Sequence, residues 1–552
     1  MKNKLLAFTT TCFLIIAFAA CKNAVPKLAL YVPKDASVVL TIDPKSVMDK
    51  ISSSGITIDS IANMFTKKDN DYALRWNDIK NSGIDLSQSI YLFSKQTNSV
   101  QNGNVSNNGI IAEVQDAAKL EAFLKKEKVG TDVLSGGKYK YIALGNDFVA
   151  GWTDKVLIIS AVTGGNAAPG TYSTGEGTLS QLQLTTLFGQ EESASIAAAD
   201  GFNDMLSKKG DMYFYTNAYA NLSTNPMLGM SKISSLIEGS YTSGTVDFEN
   251  GKIVANATTH NSKALADILS KYSSKEIDKS MVTKFPDNVT GFGVVSFNPK
   301  ILLDILHYVG FDIMANGYVS QMGFTLDDVM NAFSGDIAFA ASNISIKQNN
   351  SPDMNNMNAD EKNKYLLIMR IGDKTSFDKV MAALVNKHLL SKNGDQYQLG
   401  TSGGHSFTIE TSGNDFLVGS GDDLIKMYES GNGKSNLPGD VEKEMNNKSM
   451  AMYVDVNAIL KNININDTSG EKSLMLAQST FKNFTASSSK GDGKTIDGNF
   501  TLNFVNTNEN SLASLTKFIA VAHNEEMAKK QNPASVFMDS IPDMNKAEKD
   551  SQ

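Results

Sequence analysis

The sequence predicts an α+β fold in which one unit is written twice. Three observations point there. Short apolar, strand-like runs alternate with amphipathic runs at helical spacing, as in Val32–Ile51 and Leu366–Lys387. Asn250-Gly251 and Asp492-Gly493 sit between strand-like runs, a pattern that favours tight antiparallel hairpins. Five segments also recur in one order, offset by about 240–270 residues. The expectation is therefore a tandem duplication, each copy a mainly antiparallel mixed sheet with helices packed on one face.

The first residues read as an address. In "MKNKLLAFTTTCFLIIAFAAC", Lys2 and Lys4 precede an apolar run from Leu5 to Phe18, and Ala19-Ala20 lead to Cys21. This is the layout of a secretory signal, too short for a permanent membrane span. The small-small-Cys ending resembles the lipobox of bacterial lipoproteins, although Phe18 stands where Leu is usual. That resemblance implies cleavage of residues 1–20 and lipid, palmitate included, on Cys21, with residues 21–30 as tether. A plain secretory signal cut near Ala20 is the alternative. Two or more acyl chains hold a protein stably on a membrane, whereas one does so marginally. No later stretch reaches the roughly twenty apolar residues of a spanning helix. Cys12 leaves with the signal, so the mature chain has no thiol free for a disulfide or a Cys-ligated zinc.

The charge balance narrows the partners. The chain has 51 basic and 59 acidic residues, and loss of Lys2 and Lys4 makes it more acidic still. Nucleic-acid binding rests on neutralising phosphates, so no nucleic-acid partner is expected. Arginine occurs only at Arg75 and Arg370, which disfavours anionic ligands gripped by arginine clusters.

The repeated elements follow in order. "VPKDASVVLTIDPKSVMDKI" (Val32–Ile51) parallels "FPDNVTGFGVVSFNPKILLDIL" (Phe285–Leu306). In each, an apolar strand ends at Asp43 or Asn298, suited to cap a helix, and proline takes the first helical position. "IIAEVQDAAKLEAFLKK" (Ile110–Lys126) parallels "LLIMRIGDKTSFDKVMAALVNK" (Leu366–Lys387), each a strand, an Asp start signal and a helix. "GNDFVAGWTD" (Gly145–Asp154) comes back as "GNDFLVGSGD" (Gly413–Asp422), read as the corresponding hairpin in the two copies. Met212–Leu222 then parallels Met450–Leu460, and Val246–Thr259 parallels Ala486–Phe504. The repeats are expected at 31–275 and 276–523, with a polar tail at 524–552. Lys347–Lys364 is a polar insert that reads as an exposed or disordered loop.

The lipobox, "YVPKDASVVLTID" (Tyr31–Asp43) and a chain of about 500 residues in two weakly similar halves resemble a Bacteroidota envelope lipoprotein family. That family is catalogued as a domain of unknown function. The resemblance implies an envelope lipoprotein of uncharacterised activity and transfers no catalytic residue. "DSI" at Asp59–Ile61 and Asp539–Ile541 resembles the short O-glycan acceptor of exported Bacteroidota proteins, which makes Ser60 and Ser540 candidate modification sites. Acidic residues do not follow Cys21 directly, which by the same resemblance favours the periplasmic side of the outer membrane.

No residue pattern makes a case for catalysis. The histidines at 260, 307, 388, 405 and 523 form no pair at metal spacing, and His307 reads as a satisfied core or boundary histidine. Ser376–Lys379 and Ser514–Lys517 match S-x-x-K, but the companion elements of the penicillin-binding enzymes are absent. "GNGKSN" (Gly431–Asn436) lacks the first glycine of a phosphate loop, and "DND" (Asp69–Asp71) lacks spaced calcium ligands. Trp76, Trp152 and "YFY" (Tyr213–Tyr215) are expected to pack a core, the alternative being stacking on a sugar or a partner. No catalytic residue, metal or cofactor is expected. The leading expectation is a non-catalytic envelope scaffold binding a protein or glycan. Two alternatives are an envelope hydrolase acting on peptidoglycan, peptide or glycan at the junction of the repeats, and an accessory subunit of an outer-membrane transport or assembly complex. A large exposed apolar patch would favour the accessory subunit.

Overall fold

The computed structural model describes residues 26–55, 78–99, 103–127, 132–144, 148–164, 179–217, 219–220, 232–285, 289–348, 357–359, 363–394, 396–399, 407–431, 437, 439–464 and 471–531. The chain divides into two compact units. One comprises Met1–Pro44 and Asn81–Ala220, the other Lys45–Lys80 and Asn221–Gln552.

The strands of the first unit are β1 (Val38–Ile42), β2 (Ile90–Ser99), β3 (Gly103–Glu113), β4 (Leu134–Ser135), β5 (Lys140–Ala143), β6 (Phe148–Trp152), β7 (Val156–Gly164) and β8 (Met212–Asn217). They pair antiparallel in the order β8-β1-β2-β3-β7-β6-β5-β4. Where β1 ends, Pro44 opens α1 (Pro44–Ser53), which belongs to the second unit from Lys45 onward. After β3, Asp116 accepts hydrogen bonds from the backbone N–H groups of Ala118 and Lys119 at 3.1 and 3.0 Å. It thereby satisfies the free donors that start α2 (Ala117–Glu127). The helix lays Leu120 and Leu124 on Ile142, Ala150, Trp152 and Leu157. Each fully buried leucine is worth about 2 kcal/mol.

A second helix, α3 (Leu179–Phe188), takes the opposite face. Gly151 leaves room there, since a Cβ would stand 2.9 Å from Phe188 and 3.0 Å from Leu184. Ser160 Oγ ties β7 to the helix by donating to Gln183 Oε1 at 2.6 Å. The short α4 (Phe202–Leu206) sets Phe202 edge-on to Tyr215 at 5.9 Å.

The second unit holds β9 (Tyr241–Glu249), β10 (Lys252–His260), β11 (Val289–Ser296), β12 (Phe333–Ser342), β13 (Ile346–Gln348), β14 (Met357–Ala359), β15 (Lys364–Ile371), β16 (Leu390–Asn393), β17 (Gln396–Leu399), β18 (Thr408–Ser412), β19 (Asp415–Gly419), β20 (Lys448–Val454), β21 (Ile463–Asn464), β22 (Phe481–Ser489) and β23 (Thr495–Phe504). Its main ladder is antiparallel throughout, in the order β9-β10-β23-β22-β20-β11-β12-β15-β19-β18-β17-β16. Among the described strands, parallel pairing joins only β13 to β21, in a small three-stranded sheet with β14.

The helices of this unit are α5 (Ile233–Ile237), α6 (Lys263–Leu269), α7 (Lys300–Val309), α8 (Asp312–Met322), α9 (Leu326–Ala332), α10 (Lys374–Asn386), α11 (Asp422–Glu429), α12 (Gly439–Glu444), α13 (Val456–Lys461), α14 (Glu471–Thr480) and α15 (Ser511–Gln531). Expected caps are in place. Asn298 Oδ1 accepts from Lys300 N at 3.0 Å, and Asp373 Oδ1 accepts from Ser376 N at 2.8 Å. The last helix runs past Asn524, from which the sequence reads as a tail, as far as Gln531. Near its start, Leu512 and Ala513 pack with Val47 and Ile51 of α1.

Helices cover both faces of each ladder, which corrects the one-face expectation. In the second unit Leu366, Ile368 and Leu417 meet Leu424, Ile425 and Tyr428 of α11. Their neighbours Met369, Phe416 and Val418 meet Phe377, Val380 and Met381 of α10. Side chains alternate across a strand, so these two clusters lie on opposite faces.

The repeated Gly-Asn-Asp-Phe runs need a second correction. Residues 145–147 lie outside the described residues, but the strands around them, β5 and β6, pair directly. The second run joins β18 to β19. Counted inward from the β4 and β16 ends of the two ladders, the first run connects the second and third strands and the second connects the third and fourth. The two hairpins are successive, not equivalent. Tight turns draw on the same few residue types wherever they fall, and that is enough to produce the likeness.

Candidate functional site

Cys21, Ser60 and Ser540 lie outside the described residues, as do Trp76, His405, Asp69–Asp71 and most of "GNGKSN". The two S-x-x-K matches are described, and neither brings its serine and lysine together as nucleophile and base. Lys379 Nζ pairs with Asp328 at 2.6 Å, while the backbone N–H of Ser376 donates to Asp373. Ser514 Oγ donates to Glu509 Oε2 at 2.6 Å, and Lys517 pairs with the other oxygen of that carboxylate. Burial works to raise the Glu509 pKa, but Lys517 and Ser514 outweigh it and hold the carboxyl below its ordinary range. In both matches the lysine is directed to a carboxylate and not to the serine hydroxyl.

The other candidates are structural. Trp152 is 2% exposed, within the core under α2. Tyr215 is buried against Phe202, and His260 stacks on Tyr241 with ring centroids 4.4 Å apart. His307 departs from the core assignment: its side chain is 80% exposed and its Nδ1 lies 2.9 Å from Asp312 Oδ2. Apolar neighbours in sequence placed it on an apolar helix, but that helix buries no residue.

Arg370 is committed internally. Its Nη2 donates to Asp278 Oδ2 at 2.7 Å and Ser280 Oγ at 2.9 Å, and Nη1 lies 3.2 Å from Asp415. Tyr428 donates to Asp415 at 3.2 Å. Burial first, and the Asp415 carboxylate second, push the Tyr428 hydroxyl pKa up. In the first unit an open groove of about 670 Å³ is lined by Glu121, Lys125, Lys138, Tyr139, Lys140 and Asp154. There Glu121 binds Lys125 and Lys140, each at 2.7 Å, so most of its charge is spent on internal pairs.

The unusual surface is a sheet face. Leu367, Phe339, Gly293, Met452, Ala486 and Phe500 stand opposite one another in register across β15, β12, β11, β20, β22 and β23. Directly opposed residues in antiparallel strands share a face, so this is one continuous row without a charge. It lies on the α10 side of the ladder, beyond where α10 packs. Phe339 is 42%, Met452 41% and Phe500 39% exposed, Leu367 and Gly293 are half-buried, and Ala486 is buried between its larger neighbours. An open antiparallel face is ordinarily polar, yet here apolar residues alternate with apolar residues. Ala338, Ala340, Ala451 and Tyr453 fill the covered face, while Phe339, Met450 and Met452 point away from it.

Gly293 forms the floor between Phe339 and Met452, and a Cβ there would meet nothing within 4 Å. Tyr365 flanks the row, stacked on Phe339 at 6.1 Å. The first unit carries a shorter counterpart, Leu40–Leu92–Ile110, also in register. Exposed apolar side chains grouped in this way, Phe339 with Met450 and Met452 about Gly293, mark interaction surfaces. Sequence reasoning missed it, although the doubly apolar runs "DIAFAA" and "MAMYV" carried the signal.

Taken together, these features define a mixed chain of helices and a large antiparallel sheet, with exposed apolar side chains on the part of the α10-side face around Phe339 and Met452. The match of the domain of unknown function DUF4836 over residues 30–512 makes the chain a member of that family. No curated protein matches it. Among solved structures it is similar to TP0453. Crystal form IV is 6% identical with a TM-score of 0.24, covering 44% of this chain and 83% of that one. Crystal form III is 8% identical with a TM-score of 0.25, covering 46% and 89%.

Proposed function

We propose that the chain is a non-catalytic envelope lipoprotein, held by lipid on Cys21 at the outer membrane and facing the periplasm. It acts as a scaffold whose bare apolar sheet face receives a protein partner. The observation that carries this reading is the uncharged row from Leu367 to Phe500, with Phe339 and Met452 raised beside the open floor at Gly293. Methionines adapt to varied apolar surfaces and phenylalanines supply large contact area. A glycan would need polar partners and a stacking ring, and the row offers no hydrogen-bonding side chain. The same observation favours the accessory-subunit form of this reading, in which the partner belongs to an outer-membrane machine.

A tandem duplication is part of the proposal. Its support is the ladder order. β8-β1-β2-β3-β7-β6-β5-β4 and β20-β11-β12-β15-β19-β18-β17-β16 match strand for strand in chain sequence. α2 follows β3 as α10 follows β15, and α3 follows β7 as α11 follows β19. The strand-to-helix corners agree too. Asn217 accepts from Ala220 N at 3.2 Å, and Asp455 accepts from Ala458 N at 2.9 Å.

The test is affinity purification after crosslinking in intact membranes, comparing the native chain with Met452→Lys and with the mislocalised Cys21→Ala. The proposal expects a partner that both variants lose. Equal recovery by Met452→Lys, or turnover of an envelope polymer by the purified chain, would overturn it. Fatty-acid labelling that persists in Cys21→Ala would overturn the anchor separately.

A further inference from the structure

We infer that the α7–α8 hairpin is a lipid-contacting element that beds into the surface of a phospholipid bilayer. Its sequence, "KILLDILHYVGFDIMANGYVSQM", is mostly apolar, yet neither helix fully buries a residue; Val319 and Met322 are partly buried against the α10 core, and the opposite side of α8 is open. Ile313 is 83%, Tyr318 67% and Met314 55% exposed, and Phe311 and Leu302 are exposed as well. The turn between the helices stands clear at Gly310, and so does α8 at Gly317, since a Cβ at either would meet nothing within 4 Å.

The charge pattern decides the occupant. Between Lys300 and Asp327 the only acids are Asp304 and Asp312, and there is no Lys or Arg. Asp304 is paired with Lys271 at 2.9 Å, and Asp312 with His307 at 2.9 Å. A protein interface has a polar rim in which arginine and complementary charge fix the register. Here the exposed surface is neutral, and its acids are already matched within the fold, which lowers the cost of leaving water. Aromatic side chains such as Tyr308 and Tyr318 suit the level of lipid headgroups. α8 has 11 residues, too few to cross the hydrocarbon layer, so the hairpin lies in the interface. With no cationic cluster on these helices, binding is driven by apolar burial and is indifferent to lipid charge.

The inference rests on the membrane residence proposed above, but its test does not need the anchor. The unacylated mature chain with Cys21→Ala has no thiol, so Ile313→Cys places one environment-sensitive dye on α8. Vesicles of zwitterionic phosphatidylcholine are added, and binding is read by dye emission and by co-flotation. The dye is expected to shift to the blue, and the unlabelled chain to float equally at low and high salt. Ile313→Asp with Tyr318→Asp should lower the bound fraction about tenfold or more. Leu182→Asp on α3 should leave it unchanged. The melting midpoint of the double variant checks folding, which should survive because Ile313 and Tyr318 are exposed, whereas the core contacts of α8 are made by Val319 and Met322. An unshifted dye, equal flotation of the double variant, or a shift that needs only higher protein concentration or an added protein would overturn the inference. Because acylation is absent, any of these results leaves the Cys21 anchor standing.

Discussion

Arg370 is one of two arginines in the chain, and its guanidinium joins Asp278, Ser280 and Asp415 across the covered side of the second unit's sheet. Removing it leaves Asp415, 4% exposed, as a buried carboxylate without its cation. Arg370→Met should therefore cost about 3–5 kcal/mol in urea unfolding. A loss below 1 kcal/mol would mean that the contact is solvent-screened.

Gly293 makes the opposite case. Its backbone is extended and open space surrounds it, so a valine would suit the strand. Gly293→Val should stabilise the fold by about 0.5–1 kcal/mol while filling the floor of the binding row. Greater stability with weaker partner recovery would separate the role of the surface from that of the fold.

Asp328 gives a pH signature. The Lys379 hydrogen bond first, and the Thr325 backbone N–H second, hold its pKa at about 2. Its folded pKa lies below the unfolded value near 4, so its contribution is complete above about pH 4 and is lost as pH falls through about 2. The stability gap between the native chain and Asp328→Asn should be open at neutral pH and close near pH 2. A gap that persists there would contradict the assignment.

At the scale of elements, helix starts are legible in the sequence because a cap is a local event. Asp116, Asn298, Asp373 and Asp455 each accept a backbone N–H a few residues on, and short-range pattern contains all that this requires. The capping box at α9, with Thr325 and Asp328 exchanging hydrogen bonds, belongs to the same class. Thr325→Ala should cost about 1 kcal/mol by thermal melting. Exposure is a different matter. Whether Phe339 or Ala338 faces solvent depends on which helices cross the sheet, and those lie far off in sequence. His307 fails for the same reason. Its helix has an apolar pattern and is half-buried along much of its length, but His307 stands on the side that faces solvent. The repeated Gly-Asn-Asp-Phe run misleads because turn chemistry is reused between neighbouring hairpins, whereas strand order is set by long-range pairing.

For the whole molecule, the two compact units are interleaved along the chain. The segment from Lys45 to Lys80 belongs to the second unit although it runs between β1 and β2 of the first. A linear reading of repeats shows the order of elements but not this exchange, which depends on where α1 packs: Val47 and Ile51 lie with Leu512 and Ala513. β1 pairs with β8 on one side and β2 on the other, so it is a central strand. A fragment spanning residues 81–220 lacks it and should be unfolded by circular dichroism, since two unpaired strand edges would be left. Native-like melting of that fragment would contradict the ladder order.

The central claim is that the row through Phe339, Gly293 and Met452 is the surface by which the protein engages its partner. A photocrosslinking amino acid placed at Phe339 in living cells tests it most directly, with the same group at the exposed Leu182 of α3 as the reference position. The prediction is a discrete crosslinked species from Phe339 that is absent from Leu182 and disappears when Met452→Lys is added. No adduct at Phe339, or the same adducts from both positions, would contradict it.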